Sequence, residues 1–163
     1  MQRPNEEAAK GGNGGMTLQI KRFGELTAAQ LYRILKLRVD VFVVEQACPY
    51  PELDGLDQGA LHLWLEDEEG IHAYLRVMDR GAESGYVSIG RVVARERRRG
   101  LGTRILKEGI RAAREYLGAE AIYLEAQTYA AGLYEKQGFR PISEEFLLDG
   151  IPHVKMLLEI GPA

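Results

Sequence analysis

The chain has 163 residues, 45% of them hydrophobic, and a formal net charge of -3 from 21 Lys and Arg against 24 Asp and Glu. That length suits one domain with a hydrophobic core, and the near balance of charge excludes a polybasic protein that attracts nucleic acid or anionic membranes. The single cysteine, Cys48, excludes an internal disulfide, and the sequence has no apolar run of membrane-spanning length, so we expect a cytoplasmic protein.

The chain opens with a polar, glycine-rich segment that ends in GGNGG. Such a segment cannot bury enough apolar surface to offset the entropy lost on ordering it, so residues 1–16 are predicted to be a flexible leader. From Thr17 onward the pattern is dense, with no long linker and no repeat. We therefore predict one domain over residues 17–163.

The first predicted elements are a strand and a helix. Leu18 and Ile20 alternate with polar residues, as in a half-buried strand. Thr27 and Gln30 have the spacing of a capping box, in which each side chain bonds to the backbone N–H of the other, so a helix is predicted to begin there. Apolar residues at helical spacing continue that helix toward Glu45.

The segments that follow predict further strands and two helices. Prolines and glycines indicate a loop over residues 47–59, and the predicted strands after it are residues 60–66, 71–78, 86–93, 121–126, 139–148 and 152–158. A helix over residues 101–117 ends before Gly118, a natural C-terminal cap, and a shorter helix covers residues 129–137. The strand-helix-strand unit that contains the longer helix should be parallel and right-handed. The predicted fold class is α/β, with a mixed, mostly antiparallel sheet and helices on both faces.

A cluster of basic residues stands where the fourth predicted strand ends and the long helix begins. Six arginines lie between residues 91 and 104. Backbone N–H groups at a helix N-terminus have no intrahelical partner and favour phosphate oxygens, and Gly100 and Gly102 would let a phosphate approach them. A Rossmann fingerprint needs a glycine where Ile105 stands, and a P-loop needs Gly-Lys-Ser/Thr, so both sites are disfavoured. From these residues alone two interpretations stay open: a site for a different phosphate ligand, or a solvated basic turn.

Two motifs resemble those of the GNAT superfamily of N-acetyltransferases. The pattern R-x-x-G-x-G at residues 97–102 resembles its acyl-CoA pyrophosphate motif, and A-x-x-L-Y-E-K-x-G-F at residues 130–139 resembles its second signature. Three further segments are similar to the ElaA-like subgroup: residues 44–50, 52–55 and 149–153. One position departs from the superfamily, since many members have Asn where this chain has Gln127. A direct contact from Asn to the cofactor is therefore not carried over.

The resemblance implies acetyl-CoA as cosubstrate and direct transfer of the acetyl group to a primary amine in a ternary complex. It implies that Val92 and Val93 pair with the pantetheine through their main chains. The residues that it assigns to the pyrophosphate are Arg97, Arg98, Arg99, Gly100, Leu101, Gly102 and Thr103. Gly90, inside the same strand, indicates either a bulge that frees an amide for the oxyanion or a simple relief of packing.

Tyr134 is the general acid that the resemblance implies, protonating the departing CoA thiolate, and a tyrosine is protonated at neutral pH. The alternative is a core or stacking tyrosine. The base that deprotonates the amine has three candidates, each with a structural role as its alternative: Glu45, Glu125 and His62. His72 and His153 lack partners at ligand spacing, so no metal site is predicted.

The loop after the first helix contributes two further predictions. Its carboxylates favour an acidic rim for a cationic amine, with simple solvation as the alternative. They are Glu45, Glu52, Asp54 and Asp57. Cys48 is either a covalent acyl carrier or a small structural residue, and we favour the second because direct transfer needs no enzyme thiol.

Two functions from other classes compete with an acetyltransferase. One is a non-catalytic acyl-CoA-binding or regulatory module, against which the retention of Tyr134 argues. The other is a nucleic-acid patch on the basic face of the long helix, formed by Arg104, Lys107, Arg111 and Arg114. No stacking motif or basic overall charge supports that patch. We therefore predict an enzyme whose partner is an amine on a small molecule, peptide or protein, with no nucleic-acid or membrane partner.

Overall fold

The computed structural model of the chain describes residues 15–80, 84–96 and 99–162. Residues 1–14 of the predicted leader lie outside these stretches, as do Arg97 and Arg98 of the predicted pyrophosphate site. Met16, the last residue assigned to the leader, is buried and packs in the hydrophobic core. Met16 directly precedes the first strand, and its buried apolar side chain makes it part of the folded domain.

One mixed sheet organises the described residues. Its strands are β1 (Thr17–Arg22), β2 (Ala60–Asp67), β3 (Gly70–Met78), β4 (Val87–Ala94), β5 (Ala121–Gln127), β6 (Arg140–Pro141), β7 (Phe146–Leu148) and β8 (Ile151–Glu159). The α-helices are α1 (Ala28–Val39), α2 (Leu101–Leu117) and α3 (Ala131–Glu135). The strand order is β1-β2-β3-β4-β5-β8-β6, with β7 beside β8, and every pair is antiparallel except β4 with β5. This topology confirms the predicted fold class.

The ends of two helices follow directly from the local sequence. At the start of α1, Gln30 N–H donates to Thr27 Oγ1 at 3.1 Å, and Thr27 N–H donates to Gln30 Oε1 at 3.0 Å. The predicted capping box is therefore confirmed. At the end of α2, Gly118 adopts a left-handed conformation with φ +59° and closes the helix, as predicted.

The first helix changes its hydrogen-bonding pattern after Val39. The sequence predicts a single helix toward Glu45, whereas the structure has a six-residue π-helical segment, Asp40–Glu45, after α1. Gln46 N–H donates to the Val41 carbonyl at 3.2 Å, five residues back. Such segments take up one residue more than an α-helical turn and often occur beside functional sites.

Two apolar layers cover opposite faces of the sheet. Successive side chains of a strand point to opposite faces, so Leu63 and Leu65 pack on the α2 side whereas Trp64 packs on the α1 side. On the α1 side Trp64 meets Ile34 and Tyr74. Helices on both faces were predicted, and the structure confirms them. No helix in the described residues is both long and apolar enough to cross a membrane.

The last third of the chain differs from the prediction in two elements. The predicted helix over residues 129–137 is a 3-10 turn followed by the five residues of α3. The predicted strand over residues 139–148 is wrong in its extent, since only β6 and β7 are extended. Between them, the Ser143 hydroxyl accepts the backbone N–H of Lys155 at 2.9 Å. The Ser143 side chain thus bonds a backbone N–H of β8 that the backbone of a neighbouring strand would otherwise accept. The predicted strand is therefore interrupted between β6 and β7.

A glycine on α2 allows the helix to lie close to the sheet. A Cβ built on Gly109 would lie 2.7 Å from Leu75 Cδ2 and 3.4 Å from Ile89 Cδ1. Overpacking of a core costs about 1–3 kcal/mol, against a gain of about 1 kcal/mol from helix propensity. We expect Gly109→Ala to lower the free energy of unfolding by up to about 2 kcal/mol, measured by urea denaturation.

The matched control is Gly132→Ala in α3, where no atom lies within 4 Å of the added Cβ. That variant should be as stable as wild type or slightly more stable, because helix propensity acts there without a clash. Equal stability of the Gly109→Ala and Gly132→Ala variants would contradict the close packing of α2 on β3.

Candidate active site

The parallel pair of strands separates soon after it forms. Hydrogen bonding between β4 and β5 covers only Val87 with Ile122 and Ser88 with Tyr123. Beyond Ser88, the β4 main chain has no strand partner on its β5 side within the described residues. Because buried backbone N–H and C=O groups need partners, this open edge can take an extended ligand as an added strand.

A bulge interrupts β4 at the open edge. The register with β3 passes from Gly90 opposite Arg76 to Val93 opposite Tyr74, which leaves an extra residue on β4. Arg91 in this bulge has φ +54°, a left-handed conformation that is uncommon for a residue with a side chain. The predicted bulge is confirmed. The packing role of Gly90 also holds, since a Cβ there would lie 3.3 Å from Met78 Cε.

The side chain of Arg91 ties the bulge to the loop between α1 and β2. Its Nη2 donates to the Glu52 carbonyl at 2.9 Å, and its Nε lies 2.9 Å from Glu52 Oε1. The guanidinium also lies over the ring of Tyr50, 5.5 Å from the centroid. Although it belongs to the basic cluster in the sequence, Arg91 is engaged by protein groups.

Two buried arginines, Arg38 of α1 and Arg76 of β3, hold the same loop through ion pairs. Arg38 Nη2 donates to Glu52 Oε2 at 2.8 Å and its Nη1 to Asp57 Oδ1 at 2.7 Å. Arg76 donates to Asp57 at 2.9 Å and to Asp54 Oδ2 at 2.5 Å. Burial alone would raise the pKa of Asp54, but its hydrogen bonds from Arg76 and the neighbouring backbone lower it to about 2.

These ion pairs overturn most of the predicted acidic rim. Glu52 and Asp57 are buried, and Asp54 is paired with an arginine on each side. Their negative charge is compensated by Arg38, Arg76 and Arg91. The rim prediction is therefore wrong for these three carboxylates, whose role is to fix the loop.

A cavity of about 150 Å³ lies between the separated strands. Its wall includes the β4 bulge, Glu125 and Gln127 of β5, Tyr134 of α3 and His153 of β8. Cys48, from the loop after the π-helical segment, completes another side. Of the predicted catalytic residues, the cavity brings together Tyr134 and Glu125.

Tyr134 lines the cavity with most of its ring buried. It is 8% exposed, and its ring meets Phe139 edge-on at a centroid distance of 6.0 Å. Burial raises the pKa of its phenol, so the hydroxyl keeps its proton at neutral pH. The ring therefore packs in the core while its position at the cavity suits a proton donor.

The three candidate bases occupy different places. Glu125 lines the cavity, is exposed, and accepts a hydrogen bond from Tyr123 Oη at 3.0 Å. Glu45 lies at the end of the π-helical segment, in a shallow neighbouring groove. His62 is fully buried and is absent from the described lining of the cavity.

Both ring nitrogens of His62 are already bonded. Its Nε2 donates to the Asp57 carbonyl at 2.9 Å, and its Nδ1 accepts from Tyr74 Oη at 2.7 Å. Burial lowers the pKa of His62, which favours the neutral ring. The structure thus gives His62 the structural role that the sequence analysis named as its alternative.

His153 is a cavity residue that the sequence analysis considered only as a metal ligand. It is 8% exposed, and its Nδ1 donates to the Ile151 carbonyl at 2.7 Å. It stands opposite Gln127 in the pairing of β5 with β8. His153 ends the segment 149–153 that is similar to the ElaA-like subgroup, but only the register of that strand pair places it at the cavity.

Gln127 is bound by another glutamine. Its Nε2 donates to Gln46 Oε1 at 3.2 Å, and Gln46 Nε2 donates to Gln127 Oε1 at 3.1 Å. The two amides therefore satisfy each other across the wall shared by the cavity and the neighbouring groove. Because both of its amide atoms are occupied by Gln46, no cofactor contact is assigned to Gln127.

The turn before α2 has the backbone expected for an anion site. Gly100 is the N-terminal cap of the helix, with φ +69° and no atom within 4 Å of an added Cβ. The N–H groups of residues 101–103 begin the helix and have no intrahelical partner. Gly102 lies beside Leu133 of α3, where an added Cβ would be 3.7 Å away. Arg99, the described arginine of the motif, pairs with Glu96.

The valines assigned to the pantetheine differ in their surroundings. Val92 lines the cavity, whereas the side chain of Val93 is buried beside Trp64 and Tyr74. Val93 also pairs with Tyr74 of β3, so Val92 is the valine of the two that lies on the open edge.

Asp67, Glu69 and His72 form a cluster whose ligand atoms lie within 4.8 Å of one another. Within it, His72 Nε2 lies 2.7 Å from Asp67 Oδ1, and His72 Nδ1 lies 3.2 Å from Arg95 Nη2. A guanidinium at this distance opposes a bound cation. The cluster is accounted for as a hydrogen-bonded turn.

The fold, the separated strands and the helix N-terminus define the acyl-CoA N-acyltransferase class of enzymes. The family model for the acetyltransferase (GNAT) domain matches residues 33–160. A UPF0039 protein of Schizosaccharomyces pombe is 40% identical over 144 residues, which are 86% of this chain and 95% of that protein.

Two solved structures are similar over nearly their whole length. Escherichia coli ElaA has a TM-score of 0.82 and 32% identity, covering 88% of this chain and 99% of that one. An acyl-CoA N-acyltransferase from Pseudomonas aeruginosa has a TM-score of 0.80 and 40% identity, covering 86% and 98%. The chain belongs to the GNAT acetyltransferase family, is similar to ElaA as predicted, and is an N-acetyltransferase.

Proposed function

We propose that the chain transfers the acetyl group of acetyl-CoA directly to a primary amine while both substrates are bound. The observation that carries this proposal is the open, bulged edge of β4 lining the same cavity as Tyr134. A thioester held along that edge would stand beside a proton donor and a peptide group freed by the bulge.

The described residues fit an acyl-CoA in two places. The main chain of Val92 lies beyond the last β4 residue paired with β5 and can pair with the pantetheine as a strand would, while Val93 stays assigned to the pantetheine by resemblance alone. The first N–H groups of α2, residues 101–103, suit the pyrophosphate, and the left-handed Gly100 keeps side-chain atoms away from them. Arg97 and Arg98 remain assigned to the pyrophosphate by resemblance alone.

Tyr134 supplies the proton for the departing thiolate. Its buried phenol stays protonated until a strong base forms beside it. A thiolate that leaves within the same cavity is also destabilised by burial, which raises its own pKa. Burial of the tyrosine therefore does not by itself oppose the proton transfer.

The bulge supports catalysis in a second way. A peptide N–H released from the β3–β4 ladder can donate to the carbonyl oxygen of the thioester as negative charge develops there. Removing one such donor often costs about 3 kcal/mol of transition-state stabilisation. The ion pairs of Arg91 with Glu52 and Asp54 hold the strained residue in place, so the donor needs no reorganisation during the reaction.

The test is release of free CoA thiol from acetyl-CoA in the presence of a panel of aliphatic amines, aromatic amines and peptides. Thiol release that depends on one class of amine, with the acetylated product identified by mass, supports the proposal. Calorimetric binding of CoA without thiol release for any amine would contradict it and favour the binding module.

Cys48 provides a separate test of direct transfer. Its side chain lines the cavity, is buried, and donates from Sγ to the Asp149 carbonyl at 3.4 Å. Because direct transfer needs no enzyme thiol, Cys48→Ala should keep its turnover within about twofold of wild type, a change worth less than about 0.5 kcal/mol. Turnover is measured by thiol release, and covalent acetylation by intact-protein mass after incubation with acetyl-CoA alone.

An acetyl adduct on the wild-type protein that vanishes in Cys48→Ala, together with lost turnover, would establish an acyl-enzyme and contradict the ternary complex. Cys48→Ser is the control for the lost hydrogen bond, since a hydroxyl can still donate to the Asp149 carbonyl.

A further inference from the structure

We propose that His153 is the general base that takes the proton from the acceptor amine. This inference rests on the proposed function, because only an attacking amine has to lose a proton. It assigns a role that Glu45, Glu125 and His62 were expected to fill.

The position of His153 is the first argument. It lies on β8, pairs in register with Gln127 of β5, and lines the cavity that also contains Tyr134 and the β4 bulge. The bulge is where the proposed function holds the thioester. A base at the wall of this cavity can reach an amine that attacks there.

The hydrogen bond of the ring is the second argument. A carbonyl oxygen can only accept, so the 2.7 Å contact with Ile151 requires the proton to sit on Nδ1. In the neutral ring the lone pair is then on Nε2, and no described residue hydrogen-bonds to that atom. The ring also lies against Phe146, with centroids 6.1 Å apart, which restricts its rotation. A base oriented by a third group in this way is the usual arrangement for proton abstraction.

The charged and titratable groups around the cavity leave this role to His153. They are Cys48, Tyr50, Arg91, Glu125, Tyr129, Tyr134 and Asp149. Arg91 is paired with Glu52 and Asp54, and Tyr134 keeps its proton. Glu125 is the competing base, but it is exposed and one of its oxygens already accepts a hydrogen bond from Tyr123.

Each proton in the proposed acetyl transfer has a donor and an acceptor. The lone pair of a neutral primary amine attacks the thioester carbon, and the new C–N bond forms as His153 Nε2 takes one N–H proton. The C–S bond breaks, and the thiolate takes the phenolic proton of Tyr134. The imidazolium then returns its proton through water to the phenolate, which restores both residues. The products are the acetylated amine and free CoA.

The test variant is His153→Asn. The asparagine side-chain N–H₂ can replace the Nδ1 donor toward the Ile151 carbonyl, while the Nε2 lone pair is lost. We expect kcat/KM for the acceptor to fall about 10²-fold near pH 8, with the KM for acetyl-CoA within about twofold of wild type. The ratio of wild-type to variant rates should shrink toward one at acid pH, because a protonated imidazole has no lone pair with which to act as a base. Ionisation of the amine itself cancels in this ratio.

The matched control is His72→Asn, which removes an imidazole that is outside the described cavity lining. It should retain wild-type kcat/KM and the wild-type pH profile. Glu125→Gln is the rival test, and it should leave the pH profile of the wild type in place.

A His153→Asn variant with wild-type kcat/KM, or with a loss that is the same at every pH, overturns the assignment while the acetyltransferase proposal stands. A pH dependence that disappears in Glu125→Gln instead also overturns it. A wild-type protein that releases no CoA with any amine overturns the proposed function, and the role of His153 with it.

Discussion

Tyr134→Phe is expected to lower kcat by about 10²-fold or more while the affinity for CoA stays within about twofold of wild type. The variant removes only the hydroxyl, so the edge-on contact with Phe139 and the buried packing of the ring remain. Loss of the proton donor leaves an unprotonated thiolate as the leaving group, which slows breakage of the C–S bond. Steady-state thiol release gives kcat, and calorimetric titration with CoA gives the affinity.

Tyr32→Phe serves as the control, since it deletes the same hydroxyl from an exposed position on α1, where the residue is 72% exposed. Its kcat should equal that of wild type. If Tyr134→Phe turns over at the wild-type rate across the pH range, Tyr134 has no part in the proton transfer.

Arg38→Met should lower the free energy of unfolding by about 3–5 kcal/mol. The guanidinium is fully buried and makes ion pairs with Glu52 at 2.8 Å and Asp57 at 2.7 Å, so its removal leaves two buried carboxylates without their main partner. For a chain of this length that loss corresponds to a fall in Tm of roughly 6–20 °C. Thermal unfolding followed by circular dichroism measures it.

The comparison is Lys36→Met, which breaks the exposed pair with Asp40 on the same helix, where Lys36 is 63% exposed. Exposed pairs of this spacing contribute about 0.5 kcal/mol or less, so the Tm should hardly change. An Arg38→Met protein whose Tm lies within the error of the Lys36→Met value would show that the buried network does not hold the loop.

The parts of the fold that could be predicted have local causes. The reciprocal bonds of Thr27 and Gln30 and the left-handed Gly118 depend on residues a few positions apart, so the sequence pattern indicates them directly. The break after β6 depends on Ser143 meeting a backbone N–H of β8, twelve residues away. Apolar alternation carries no information about that contact, so the strand was predicted too long.

The candidate site likewise contains some residues that local motifs indicate and others that only the fold brings together. Tyr134 and the turn at Gly100 lie within motifs whose role the resemblance implies, whereas the segment 149–153 carries no such role and His153 reaches the cavity through the register of β5 with β8. The loop carboxylates were misassigned because their partners, among them Arg38, are distant in sequence. An arginine at an apolar position of α1 was the available signal, since such a residue is buried only when paired.

The π-helical segment at the end of α1 is a place where the cavity wall can absorb a change in chain length. Each residue of an α-helix turns the chain by about 100° around the helix axis, and the wider π-helical turn takes up one residue more than an α-helical turn. Gln46 therefore keeps nearly the phase that it would have after a regular helix one residue shorter, and from there it pairs with Gln127. A single deletion within 40–45 can return the segment to α-helical bonding while the two amides still meet, whereas a second deletion would turn Gln46 by about 100° away from its partner.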